Sequence, residues 1–296
     1  MVGTPVRFRR HRRTALAVAV VAIAAFGITA CSSSSVPANH GTSAAAGLHM
    51  VSNDGHRLAF YVTPGTQPAI ILDAGGGNDS TYWKKLVPTL SSDTRSEIIT
   101  YDRAGMGKSE YVSGPFDVKE AASDLAAGLK ELDVARGAVL VAHSEAGEIA
   151  TSFINEYPGV ASGAVLVDAS LPQFYTPEET ARIVAANGPQ VAAVKKQKPT
   201  KATRQLIAAA ENYGPAHLAY NATSWPSKVP AIVIVSASTP FPTALDAGRW
   251  RDAQTEFVKA APNRRLVTAA HSSHDIPLDR PGLVVQEVKD MLKDIG

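Results

Sequence analysis

The sequence predicts an α/β fold: a mostly parallel central sheet with helices on both faces and an inserted helical cap. Three observations carry this expectation. Short apolar runs of strand length alternate with segments of helical spacing, the order that builds a parallel sheet with covered faces. One such run, Ala138 to Val141, passes through small and polar residues directly into a helical pattern over 145–157. Between Asp168 and Ala231, about sixty residues carry no strand pattern yet read as helical, which fits an insertion better than a structureless loop.

The chain has 296 residues, 45% hydrophobic and 19% charged, a balance that fits a globular protein of one or two domains. Its first 30 residues are a different material. Arg7, Arg9, Arg10, Arg12 and Arg13 precede an uncharged apolar run from Ala15 to Phe26, short for a membrane span and followed by small residues. This is the pattern of an export signal. Ile28-Thr-Ala-Cys31 resembles a bacterial lipobox, in which the cysteine becomes the lipidated first residue of the mature chain. Cys31 is the only cysteine, so no intrachain disulfide is possible. Plain secretion is the alternative, and the paired arginines leave twin-arginine export open beside the general route. The expected place is the bacterial cell envelope, anchored through Cys31 to the outer face of the cytoplasmic membrane.

Residues 31–46, rich in Ser, Ala and Gly, read as a flexible tether, and 47–296 as the folded domain with the cap at 170–228. Losing the five arginines of residues 1–30 from 29 basic residues leaves 24 against 27 acidic, a net of −3. The formal +2 of the whole chain therefore belongs to the export signal, and nothing points to a nucleic-acid partner.

Within the domain the elements follow in order. Leu48–Val51 and Leu58–Val62 are strands around Asn53-Asp54-Gly55, a hairpin signal. Ala69–Leu72 is a buried strand before Asp73-Ala-Gly-Gly-Gly77. Thr81 to Leu90 reads as one helix with Trp83, Leu86, Val87 and Leu90 on one face. The strand Glu97–Tyr101 leads into Asp102-Arg-Ala-Gly-Met-Gly-Lys-Ser109. Asp117 is placed to cap a helix carrying the apolar stripe Val118, Ala122, Leu125, Leu129 and Leu132. A strand over Ala164–Val167 ends at Asp168. The cap reads as three helices: Pro177 to Asn187, Lys201 to Asn212 and Pro215 to Asn221. Then come the strand Ala231–Val235, a helix around Trp250–Ala260, the strand Arg265–Thr268, the loop holding His271 and His274, and a last helix from Pro281 to Leu292.

Ser144 stands between the buried strand 138–141 and the helix at 145–157, with Ala142 and Ala146 two residues to either side. Small flanks let the chain reverse tightly, push the hydroxyl outward and leave a helix N-terminus behind it, which favours developing negative charge. Ala142-His-Ser-Glu-Ala-Gly147 resembles the nucleophile elbow of the α/β-hydrolase family, usually Gly-x-Ser-x-Gly. From Leu48 onward the order of elements is also similar to that family's, and the 102–109 loop resembles the glycine-rich loop many members carry after their fourth strand. Asp102 and Arg103 there are expected to be scaffold.

The resemblance implies further roles. A serine hydroxyl needs a base within hydrogen-bond reach to act as a nucleophile near neutral pH. Family order puts the histidine last, and His274, in Ser-Ser-His-Asp-Ile-Pro, matches that loop; His271 is its competitor. His143 is expected to point away from the nucleophile, and His49, His56 and His217 to be surface or packing residues. The carboxylate that orients the histidine is less direct. Where the family often has Gly-x-x-Asp after the strand at 231–235, this chain has Ser236-Ala-Ser-Thr239. Asp168, one strand earlier, is the expected replacement, with Asp246 as the alternative; Asp275 is too close in sequence to reach the far ring nitrogen. The backbone N–H groups of Glu145 and Gly75, with Gly76 as the alternative to Gly75, are the expected oxyanion donors. No Lys-Ser/Thr follows the glycine loop, which disfavours nucleotide binding. The resemblance thus implies a serine hydrolase, carboxylesterase-like, acting on esters or related acyl bonds of a small-molecule substrate, with no cofactor and no metal. The rival expectations are a peptidase or amidase of the same fold, and a catalytically silent binding or sensor lipoprotein.

Overall fold

A computed structural model of the chain describes residues 45–296; the expected export signal, Cys31 and most of the expected tether lie outside them. The sheet begins with a hairpin of β1 (Gly47–Asn53) and β2 (His56–Thr63). Asp54 and Gly55 at its turn have φ of 44° and 84°, the positive pair that a two-residue turn matching the strand twist requires. There follow β3 (Thr66–Asp73), β4 (Ser96–Asp102), β5 (Ala138–His143), β6 (Ala161–Val167), β7 (Ala231–Ser236) and β8 (Arg264–Ala269). The spatial order is β1-β2-β4-β3-β5-β6-β7-β8, antiparallel where β2 meets β1 and β4 and parallel from β4 onward.

Alternation along the strands splits the core into two layers. Ile71, Ile99, Leu140, Leu166 and Val233 face one side, against α2 (Val118–Glu131), α3 (Ala146–Glu156) and Phe257 of α6 (Ala244–Lys259). Ile70, Ile98, Val139, Val165 and Ile232 face the other, against α1 (Val87–Thr94) and α7 (Pro281–Ile295). The Asp117 side chain caps α2 by accepting from the N–H groups of Lys119 and Glu120 at 2.7 and 3.3 Å. The strand order reverses between β3 and β5, so the chains leaving these neighbours part in opposite directions. Such a reversal leaves a crevice at the carboxyl ends of the strands. The Gly75-Gly76-Gly77 loop and Ser144 are the residues that border it.

Two helical expectations are corrected. Thr81 to Leu90 is not one helix but a 3-10 turn, Ser80–Trp83, followed by α1. The Asp79 side chain caps the turn, and Pro88 sits in the first turn of α1, where its missing N–H costs nothing. Trp83, Leu86 and Leu90 are nevertheless buried as their spacing implied. In the cap, α4 (Pro177–Val194) is followed by a single α5 (Lys201–Asn221) that runs through Pro215 rather than stopping before it. A proline removes one backbone bond and bends a helix, but the helix continues where packing holds both sides. Here Tyr213 and Tyr220, on opposite sides of Pro215, both pack in the aromatic cluster of Phe174, Tyr175 and Trp250. Among the described residues no helix is long and apolar enough to cross a membrane.

Packing between α2 and β2 leaves no room for a side chain at Gly128. A Cβ there would lie 1.9 Å from Cζ of Phe60, which is fully buried. Gly128→Ala therefore lowers unfolding free energy by about 1–3 kcal/mol in urea titration, despite the better helix propensity of alanine.

Candidate active site

Ser144 occupies the corner between β5 and α3 with φ of 55°, a left-handed conformation that costs a residue with a Cβ of order 1–3 kcal/mol. Its surroundings hold it there. Its N–H donates to the Val167 carbonyl at 3.2 Å, and its carbonyl accepts from the N–H groups of Gly147 and Ser170 at 3.0 and 2.8 Å. Ala142 and Ala146 are buried on either side. The position that must be glycine is 147, where a Cβ would lie 2.3 Å from the Ser170 carbonyl oxygen.

The structure brings Ser144, His274 and Asp168 into one line. His274 lies in the loop after β8, with Nε2 2.8 Å from Ser144 Oγ and Nδ1 2.7 Å from Asp168 Oδ2. With Nδ1–H donating to the carboxylate, Nε2 is left to accept the serine proton. Asp168 follows β6 at φ 42° and is fully buried. Besides His274, its carboxylate accepts from the Ser236 hydroxyl at 2.6 Å, the Ser236 N–H at 3.1 Å and Trp250 Nε1 at 2.9 Å. Burial alone would raise its pKa, but these bonds outweigh burial and hold the carboxyl below the usual range.

The alternatives go elsewhere. Asp246 bonds Thr243 and pairs with Arg182 of α4, and His274 is not among its partners. His271 is exposed at φ 57°. Asp275 accepts from the Tyr82 hydroxyl at 3.1 Å. His56 pairs with Asp124 at 3.0 Å, and His49 bonds the Ala45 carbonyl. His217 is buried, its Nε2 3.1 Å from Glu148 Oε1.

Three contributors were not anticipated from sequence. Ser236 and Trp250 bond Asp168, and their signal was weak, since only Ser236's place at the end of β7 pointed to this corner. His143 turns from the Ser144 hydroxyl, as expected, but it stacks on Tyr82 and its Nε2 lies 3.0 Å from the His274 carbonyl oxygen. Burial, with His274 beside it, pushes His143 down to about 3, so it is a neutral support at ordinary pH.

The glycine loop closes the other side. A Cβ on Gly75 would lie 2.9 Å from both Ser144 Cβ and His143 Nδ1, so only glycine lets this backbone approach so closely. The Gly75 carbonyl is held by Arg103 Nη2 at 2.7 Å and by the Asn78 N–H at 3.2 Å. Arg103 is buried, with Nη1 3.1 Å from Glu145 Oε2 and Nε 3.9 Å from Asp73 Oδ1. It ties the glycine loop to the residue after Ser144. Burial pushes the Glu145 carboxyl up, and the Arg103 charge works against that rise. Asp102 accepts from Tyr61 Oη, the Ser80 N–H and the Lys108 N–H at 2.8–2.9 Å, as a scaffold residue would. Among the described residues no three His, Cys, Asp or Glu side chains gather as a metal ion would need.

Several known proteins are similar to this chain. The sequence profile of the alpha/beta hydrolase family matches residues 70–287. An uncharacterised protein of Mycobacterium tuberculosis is 32% identical over 115 residues, which are 39% of this chain and 33% of that protein. The chain thus matches only a third of that relative's length. An uncharacterised protein of Bacillus subtilis is 25% identical over 230 residues, 75% of this chain and 82% of the relative. A thermophilic esterase from Thermogutta terrifontis superposes with a TM-score of 0.58 at 19% identity, covering 84% of this chain and 99% of the other, a likeness of fold. Since the profile spans most of the chain, including the loops after β3, β5 and β6 and the loop that holds His274, this protein belongs to the alpha/beta hydrolase family.

Proposed function

We propose that the protein is a serine hydrolase that cleaves carboxylic esters, with Ser144 as nucleophile, His274 as general base and acid, and Asp168 as the carboxylate that orients it. The observation that carries this is the unbroken line of bonds, 2.8 Å from Ser144 to His274 and 2.7 Å from His274 to Asp168. Ser144 Oγ attacks the ester carbonyl as His274 Nε2 takes its proton. The negative charge forming on the carbonyl oxygen is met by the N–H groups of Glu145 and Gly75, or Gly76 in place of Gly75, with the N-terminal end of α3 behind them. The imidazolium then gives its proton to the departing alkoxide, leaving an acyl group on Ser144. Water, deprotonated by the same Nε2, releases the acid and restores the serine.

The rival reading, a silent binding protein, rests on the alanines at 142 and 146, on Asp73 before the glycine loop and on the missing Gly-x-x-Asp after β7. Its force is reduced because the required glycine is met at 147 and both alanines fit the corner. A fluorophosphonate probe separates the two readings. Folded protein is expected to label on Ser144 and to hydrolyse p-nitrophenyl acetate, with Ser144→Ala losing both. Equal labelling of wild type and Ser144→Ala would overturn the assignment.

We further propose that the chain is exported and tethered through a lipid on Cys31. Support comes from the arginine-led apolar run and the Ile-Thr-Ala-Cys sequence. Expressed with its full N-terminus in a bacterial host, the protein is expected to enter the detergent phase on cloud-point partitioning, and Cys31→Ser to shift to the aqueous phase. Unchanged partitioning would remove the anchor.

A further inference from the structure

The two cap helices pack on each other, and residues of both line one open groove. Val184 and Val191 on α4 and Leu206, Ala209 and Tyr213 on α5 line a cavity of about 550 Å³, within the range of small-molecule sites. Leu206, Ala209 and Tyr213 recur at helical spacing, so they form one stripe of α5. Val184 and Leu206 remain 45% and 38% exposed, an apolar surface that the fold leaves uncovered. At its inner end the cavity is walled by Gly76, Gly77 and Glu145. These are the neighbours in sequence of Gly75 and Ser144, so the groove runs up to the proposed oxyanion site.

Charge and position decide what fits there. The two charged side chains on the wall are already paired, Glu145 with Arg103 at 3.1 Å and Lys195 with Glu211 at 2.9 Å. Gln205 spans the inner end, accepting from the Gly77 N–H at 2.6 Å and donating to Glu145 at 3.3 Å. A cationic or anionic group would have to break one of these pairs, whereas an apolar chain would cover Val184 and Leu206. The leaving alcohol must face His274 to receive its proton. The groove wall takes Gly76 and Glu145 from the proposed oxyanion side and does not include His274, so the acyl side of the ester, rather than the leaving alcohol, is directed toward it.

We propose that this groove binds the acyl chain, making the preferred substrates esters of unbranched fatty acids of about octanoyl length. The stretch from Val184 to Val194 rises about 15 Å at 1.5 Å per residue, which leaves room for such a chain laid along α4. This rests on Ser144, His274 and Asp168 acting as proposed above.

The test compares kcat/KM for p-nitrophenyl acetate and octanoate in wild type, Ala209→Phe, which fills the groove, and Leu206→Ala, which widens it. Wild type is expected to prefer octanoate by about ten-fold or more, since each buried methylene adds to binding. Ala209→Phe should lower the octanoate value about ten-fold while leaving acetate within about two-fold, and Leu206→Ala should move the optimum to longer acyl chains. A second series, alkyl acetates of increasing alcohol length, should be unaffected by either variant. Equal losses on acetate and octanoate, an unaltered acyl preference, or a response confined to the alkyl acetates would each overturn the groove assignment while leaving Ser144-dependent acetate hydrolysis intact. Absence of Ser144-dependent acetate hydrolysis in wild type would instead overturn the reading on which it rests.

Discussion

The buried carboxylate of Asp168 is the point on which the site's geometry depends. A lone charge at full burial would be strongly disfavoured, and it is tolerated because four donors converge on its two oxygens. Those donors come from three separate places: the end of β7, the middle of α6 and the loop after β8. The carboxylate therefore fixes where those segments sit relative to β6, and the His274 ring takes its direction from it. Because the folded carboxyl titrates below its unfolded value, its contribution to stability is present above the ordinary carboxylate range. That contribution is lost as pH falls through the lowered value.

Opposite Asp168, a second buried set joins the cap to the same corner. Tyr220 of α5 donates to the carbonyls of Ser170 and Gly147 at 3.0 and 3.3 Å, so it grips the residues that brace Ser144 from behind. Nearby, Glu148 of α3 pairs with His217 of α5, and Tyr175 Oη lies 2.8 Å from Ser170 Oγ. Burial opposes a charge on His217, but Glu148 overrides it and raises the pKa. The stability this pair adds is complete below the unfolded histidine value and fades as pH rises through the folded one. The cap is thus fastened to the strained serine corner by buried polar bonds as well as by packing, while α4 and α5 together line an open groove.

Much of this was legible in the chain. The inner strands β3 to β7 announce themselves as apolar runs, because strands covered on both faces need apolar residues throughout, whereas β1 and β2 are marked by the turn between them. Asp54-Gly55 and Asp117 announced a turn and a cap through local chemistry alone. The strandless stretch after Asp168 marked the cap. What escaped is what local sequence does not hold. The break between Trp83 and Val87 leaves the hydrophobic spacing unchanged, so periodicity ran straight through it. The persistence of α5 past Pro215 is decided by tertiary contacts of Tyr213 and Tyr220. Ser236, Trp250 and His143 reach Asp168 and His274 from far along the chain, and a serine, a tryptophan and a histidine in those places have many ordinary uses. The choice between Asp168 and Asp246 was open for the same reason, since both belong to segments bordering the same edge of the sheet.

Replacing each aspartate in turn separates the two. The most direct measurement is steady-state ester hydrolysis by Asp168→Asn and Asp246→Asn, each checked for native circular dichroism. Asparagine keeps the shape at 168 but presents His274 with a poorer partner and the wrong tautomer, so kcat/KM is predicted to fall by roughly 10³–10⁴-fold. Asp246→Asn, which disturbs only the Arg182 and Thr243 contacts, is predicted to stay within about two-fold of wild type. Near-normal turnover in Asp168→Asn, with loss of activity in Asp246→Asn, would contradict the account.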